Sequence, residues 1–293
     1  STFYASPTDR PGEPGYAGLL DVLLLTHLLV TLKPWRCHRS TTKGKVMKNL
    51  ITMIYTTMLL VFSSVTYADD HASSGPLFYG QSIGVIASDA PAVFAAMDKW
   101  RNSATGKKAP NTVVLLQNIV NGDYQSTHGI NIFYPNGAAM DAAAELYAGS
   151  KDWSAFQGAF QSLVETEWEN TYAIMRAKAN AGDVSSATPV SIVYGFTVTD
   201  PAGFMSAFDK MWNSDVIQNF PGGVYFGQNI AAGTMPGTHF VTFVADTRGK
   251  LTEAMMAMQS SQDMAAYIQA VGDSREIEAV NMFSEVQRWS NGG

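Results

Sequence analysis

Apolar positions along this chain switch between two periods, and the switches mark the elements. From about Leu77 to Ala87 the pattern predicts a strand; Ser88-Asp89 then offers a helix cap, Pro91 sits in the first turn, and Val93, Phe94, Met97 and Trp100 line one helical face. After a polar connection, Asn102 to Asn111, β-branched runs predict strands over Thr112–Val120 and Thr127–Tyr134, separated by a turn at Asn121-Gly122-Asp123. Pro135-Asn136-Gly137 ends that strand. Helices follow at about Ala138–Ala148 and Trp153–Val164, and a last strand lies near Trp168–Arg176.

The order then repeats. Strands are predicted at Val190–Val198, Gly223–Ile230, Thr238–Ala245 and Ala279–Trp289. The first helix starts at Thr199-Asp200-Pro201 with Phe204, Met205, Phe208 and Trp212 on its apolar face, and two more cover Thr247–Met258 and Met264–Val271. The most legible mark of the repeat is Gln117-Asn118-Ile119 with Thr127-His128, seen again as Gln228-Asn229-Ile230 with Thr238-His239; 228 − 117 and 239 − 128 both equal 111. The same offset relates Gly84 to Gly195, Asp89 to Asp200, Asp98-Lys99 to Asp209-Lys210, Pro110 to Pro221, Gly122 to Gly233, Asp152 to Asp263 and Asn170 to Asn281. A match without gaps over that span is the signature of an internal duplication, with units at 77–176 and 189–289 and a linker at 177–188.

Two β-α-β-β-α-β units in tandem resemble the dimeric α/β-barrel superfamily, on element order and repeat alone. The resemblance implies an α+β fold of two ferredoxin-like units forming a single-chain pseudo-dimer, with sheets face to face, helices outside and a barrel-like space between. Members include cofactor-free monooxygenases, haem enzymes of the chlorite dismutase and dye-decolourising peroxidase types, and small stress or lipoprotein-like modules. The fold alone does not choose among them.

Charge and composition narrow the field. The chain of 293 residues is 46% apolar and 15% charged, enough for a substantial core. Residues 1–68 carry seven Lys/Arg against three Asp/Glu, so of the total of 19 basic and 25 acidic residues the remainder holds 12 and 22, a net charge of −10. Such a surface disfavours nucleic acid and anionic membranes. Met47 opens a stretch with Lys45 and Lys48 as a positive n-region, an apolar run from Leu50 to Val65, and Thr66-Tyr67-Ala68 before Asp69, which reads as a signal peptide over 47–68. Residues 1–46 then read as an upstream extension. The expected product is periplasmic or secreted, with no stable membrane anchor after cleavage.

Candidate chemistry is sparse. Cys37 is the single cysteine, and beyond residue 68 the histidines are His71 and the equivalent pair His128 and His239. Each of the pair reads either as a general base or haem ligand at a barrel mouth, or as a hydrogen-bonded structural histidine. Gln117, Asn118, Gln228 and Asn229, with Asn170 and Asn281, read either as ligand-binding amides or as ties within hairpins and between units. Asp89 and Asp200 read as caps. Met255, Met256, Met258 and Met264 form a Met-rich helical region that reads as core filler or as a soft binding surface. No motif calls for a metal or cofactor. The expectation is an exported binding or structural module for a small apolar or aromatic ligand, held in the inter-sheet space or on the outer face. The alternative is a cofactor-free or haem-dependent oxidoreductase using His128 or His239.

Overall fold

Alternation along the strands sorts every side chain into one of two layers, and a computed structural model shows what each layer contains. The structure describes residues 75–179 and 184–290, so the expected extension and signal peptide, and part of the linker, lie outside the described residues. In chain order the elements are β1 (Phe78–Ala87), α1 (Ala90–Arg101), β2 (Thr112–Val120), β3 (His128–Tyr134), α2 (Gly137–Tyr147), α3 (Lys151–Gln161) and β4 (Val164–Lys178). The second set comprises β5 (Val190–Val198), α4 (Pro201–Trp212), the short α5 (Asp215–Gln218), β6 (Gly223–Ala231), β7 (His239–Ala245), α6 (Arg248–Gln259), α7 (Gln262–Val271) and β8 (Arg275–Ser290). Among the described residues, no helix is long and apolar enough to cross a membrane.

The caps are where polar residues precede apolar periodicity. Asp89 accepts from the Ala92 amide at the start of α1, and Asn136, Ser150, Thr247 and Ser261 cap α2, α3, α6 and α7 in the same way. Asp200 precedes Pro201 but its side chain makes no capping bond at α4.

All eight strands join one closed antiparallel barrel in the order β1-β3-β2-β8-β5-β7-β6-β4. Each set contributes its strands in the same order, last-first-third-second. This corrects the expectation of two sheets lying face to face: the two four-stranded sets are hydrogen-bonded edge to edge. The closing ladders come from strands longer than their pattern suggested. Strand β4 pairs with β1 through Val164–Ile174, then continues against β6 through Thr171–Lys178; β8 pairs with β5 through Arg275–Ser284, then with β2 through Met282–Ser290. The helix expected to reach Val164 ends at Gln161, because Val164 already pairs with Ala87 as the first strand residue while still facing the helices.

The crossing ends carry side chains into the opposite set. Trp289, on β8, joins the core of α1, β2 and β3, and its indole donates to Asp98 of α1 at 3.0 Å. Arg176, on β4, pairs with Asp209 of α4 at 2.6 Å and lies over the Phe208 ring. The two carboxylates are counterparts at offset 111, so the same helix position holds the opposite set's long strand in both places.

The barrel interior is packed with side chains. Val114, Leu116 and Phe283 form its apolar centre with Phe133 and Val193 against them. Tyr172 meets Phe240 edge to face at 5.1 Å, Ser82 is bonded to Asn131, and Arg288 forks onto buried Glu285. Burial holds the Tyr172 phenol far above its usual pKa. Two glycines on β1 make room for this filling: a Cβ at Gly80 would strike the Tyr172 ring, and one at Gly84 the Trp168 indole. Gly195, the counterpart of Gly84, faces only Ala279, whose carbonyl would lie 3.9 Å from an added Cβ.

That difference yields a paired test. Gly84→Ala should destabilise the protein by about 1–3 kcal/mol through overpacking against Trp168, while Gly195→Ala should leave the thermal midpoint nearly unchanged. Equal midpoints for the two variants would contradict a filled interior at Trp168.

Candidate functional site

The residues singled out by the repeat lie in two layers. Gln117 and Gln228 are exposed on the outer face of the barrel, each opposite its hairpin histidine in the β2–β3 and β6–β7 ladders. Asn118 and Asn229 turn inward at the hairpin ends. The Asn118 amide donates to Asn121 Oδ1, Ser126 O and Ser126 Oγ, and the Asn229 amide donates to Gly237 O at 3.0 Å. Asn170 donates to Asn229 Oδ1 at 3.0 Å across the β4–β6 seam, and Asn281 donates to Asn121 O at 3.3 Å beside the β2–β8 seam. These four amides tie hairpins to the two ladders that join the sets.

His128 and His239 face the helices and not the barrel interior, on the same strand faces as Ile130 and Val241. Strands β2, β8 and β5 lie between β3 and β7 around the barrel, so the two rings do not share a site. His239 stacks on Phe226 with centroids 5.6 Å apart and lies against Phe196 and Phe204; its Nδ1 is 2.8 Å from the Thr238 hydroxyl. His128 has the same bond to Thr127, at 2.9 Å, without the aromatic stack. Among the described residues no group of three or more His, Cys, Asp and Glu is arranged to hold a metal.

A cavity of about 280 Å³ lies instead between the outer face of β5–β7 and helices α4 to α7, partly open to solvent. Tyr194, Phe196, Val241 and Phe243 form its floor, Phe208, Met211 and Trp212 one wall, and Met258, Met264 and Tyr267 the other. Ile268 and Ile277 sit at the cavity's edge, 59% and 49% exposed, an unusual place for two large aliphatic side chains.

The cause of the cavity is visible by comparison with the first set. There the corresponding space between sheet and helices is closed by a stack: Trp100 lies 4.7 Å from Phe156 and 5.0 Å from Trp153, which stacks on Tyr147 at 4.5 Å. At offset 111, Trp100, Tyr147 and Trp153 become Met211, Met258 and Met264. A thioether chain is thinner and more adaptable than an indole, so three such replacements at one spot leave a gap whose walls can move.

The polar fittings also differ. Tyr194, Gln259, Tyr267 and Arg275 line the cavity where the first set has Ile83, Ala148, Phe156 and Val164. The Arg275 Nε donates to the Tyr267 hydroxyl at 3.1 Å, and its guanidinium lies 5.7 Å from the Phe196 centroid and 5.5 Å from that of Tyr267. Burial raises the phenols of Tyr194 and Tyr267, the first opposed by a bond to Gln259 and the second by the Arg275 charge, so both stay protonated donors in neutral solution. Of the Met-rich region noted in the sequence, Met258 and Met264 line this cavity, Met255 is buried in the core beside it, and Met256 is exposed. Tyr194, Met211 and Arg275 had no single-sequence signal; setting the two copies side by side at every helix and strand position would have exposed them.

No protein-family model matches the chain. No curated protein matches it either. Several solved structures are similar in shape. A candidate monooxygenase from Lactobacillus acidophilus NCFM is 11% identical, with 74% of this chain and 98% of that one covered at a TM-score of 0.47. An anthrone oxidase-like protein is 12% identical, covering 74% and 94% at 0.48. A variant chlorite dismutase from Candidatus Nitrospira defluvii is 8% identical, covering 72% and 92% at 0.45. At these values the likeness adds nothing to the barrel, which rests on the chain's own strand ladder.

The histidines supply a pH test. Burial lowers both pKa values below the ordinary 6.5. The unfolded chain therefore protonates first as pH falls, so the stability due to the neutral rings is complete above pH 6.5 and lost through the lower folded values. The thermal midpoint should drop between about pH 7 and pH 5 by more in the native protein than in the double variant H128Q/H239Q. Parallel pH curves would show that the rings are not held neutral by their surroundings.

Proposed function

We propose that this protein is a binding module for a small apolar ligand, taken up between β5–β7 and α4–α7 without a catalytic step. The observation that carries the reading is the replacement of a closed aromatic stack by Met211, Met258 and Met264 at the same positions of the second copy. A dry apolar cavity of about 150 Å³ holds one benzene ring, so the space here suits two rings or a chain of about eight to ten carbons. Nine aromatic or methionine side chains around it supply contact area and adaptability, and Tyr194, Gln259, Tyr267 and Arg275 supply direction.

The reading takes the two sets as tandem copies of one ferredoxin-like β-α-β-β-α-β unit, forming a single-chain pseudo-dimer of the dimeric α/β-barrel type. The shared last-first-third-second strand order and the constant offset support that view.

An oxidoreductase using His128 or His239 is the second reading, and its specific support is Phe196, which both lines the cavity and stacks on His239. Haem does not fit the histidines well. The threonine hydroxyl on each Nδ1 leaves Nε2 as the ligating nitrogen, but neither ring is among the groups lining the cavity. Among the described residues, no carboxylate is bonded to either ring to orient a general base.

Restoring the first copy's side chains is the direct test. The neutral fluorescent probe N-phenyl-1-naphthylamine should bind the native protein, and M211W/M264W should weaken that binding by about tenfold or more while raising or preserving the thermal midpoint. Undiminished probe binding in the filled variant would sink the proposal. Loss of binding in His239→Ala, with the fold intact, would favour the oxidoreductase reading.

A further inference from the structure

The cation at the edge of this cavity has no counter-charge. Arg275 spends its Nε on the Tyr267 hydroxyl and its flat faces on Phe196 and Tyr267, and among the described residues no carboxylate pairs with it. The nearby acids are otherwise directed. Glu278 accepts from the Thr197 hydroxyl, and Glu276 pairs through the strand ladder with Thr197, on the barrel's other strand face from Arg275. A half-exposed arginine without a partner is ordinary on a protein surface. One that lines an apolar cavity, fixed by a phenol and two ring contacts, is not.

The first copy shows what this position looks like when the space is filled. Val164 stands there and packs into the apolar core with Trp153, Phe156 and Phe160. The change from valine to arginine therefore accompanies the three changes to methionine that open the space. Of the other described arginines, Arg101 is bonded to Asn111 and the Trp289 carbonyl, Arg176 to Asp209 and Arg288 to Glu285, while Arg248 stands exposed at the start of α6, away from any cavity lining. Among the described residues, Arg275 differs in lining a cavity while only its Nε is bonded to a protein acceptor.

We propose that the ligand is an apolar carboxylate, its chain or ring among Met211, Met258 and Met264 and its carboxylate on the Arg275 guanidinium at the cavity mouth. This rests on the cavity being the binding site. A guanidinium offers two parallel N–H donors that match a carboxylate, and a charge-assisted pair beside low-dielectric walls is stronger than a neutral hydrogen bond. The Gln259 amide and the Tyr194 hydroxyl also line the cavity.

Decanoate and 1-decanol, equal in chain and different in head group, separate the two claims. Calorimetric titration or displacement of N-phenyl-1-naphthylamine should show decanoate binding about tenfold or more tightly than the alcohol near neutral pH. Arg275→Met should remove that preference and leave decanol affinity within about threefold, and Arg275→Lys, which keeps the charge without the fork, should retain part of it. Equal affinities for the two compounds in the native protein, or a preference that survives in Arg275→Met, would overturn the carboxylate assignment while leaving the cavity reading in place. Binding of neither compound, together with no binding of the probe, would overturn both.

Discussion

The structure depends on two strands that are long enough to serve both halves. Had β4 and β8 stopped where they finish pairing with β1 and β5, at Ile174 and Ser284, the edges of β6 and β2 would be left bare over part of their length. Their continuations against β6 and β2 close the ring. They also place Trp289 under α1 and Arg176 under α4, where Asp98 and Asp209 hold them. Each helix-covered core is thus completed by a residue from the other half. Neither half is a complete folding unit in this arrangement, because a buried tryptophan and a closing ladder would both be lost on separation.

Closure decides where a ligand can go. A ring of eight strands has an interior just wide enough for side chains to fill, and here Tyr172, Phe283, Phe240, Leu116 and the Glu285–Arg288 pair occupy it. The space for a ligand is in the layer between sheet and helices. In the first copy that layer is filled by the ring stack of Trp100, Tyr147, Trp153 and Phe156; in the second the stack is replaced by methionines around a cavity, with Arg275 at the edge. Duplication permits this division because the sealed copy and the two crossing strands maintain the barrel while the other copy carries a void.

Much of the fold was legible because the signals were local and appeared twice. Asp89 before Pro91, Asn136 after Pro135, and the β-branched run from Thr112 to Val120 each specify an element from a few neighbouring residues. Closure was not legible. Phe156, Phe160 and Val164 fall at helical spacing and face one core, so the periodicity ran on past Gln161, and the polar run Glu165-Thr166-Glu167, with no apolar residue before Trp168, hid the first part of β4. The repeated Gln-Asn-Ile and Thr-His stretches drew attention for their identity between copies. In the fold they tie hairpins to seams, as the bonds of Asn118, Asn229, Asn170 and Asn281 show. The candidate site lies where the copies disagree. Met258 and Met264 were noticeable as part of a Met-rich helix pair, but the meaning of Met211 and Arg275 emerges only against Trp100 and Val164.

The central claim is that the two copies, alike in backbone order, differ in whether their sheet–helix layer admits a small apolar guest. Xenon enters dry apolar cavities and is visible in crystals exposed to the gas under pressure. The account predicts a xenon site among Met211, Met258 and Met264 and none among Trp100, Tyr147 and Trp153; an empty second copy, or equal occupancy in both, would contradict it.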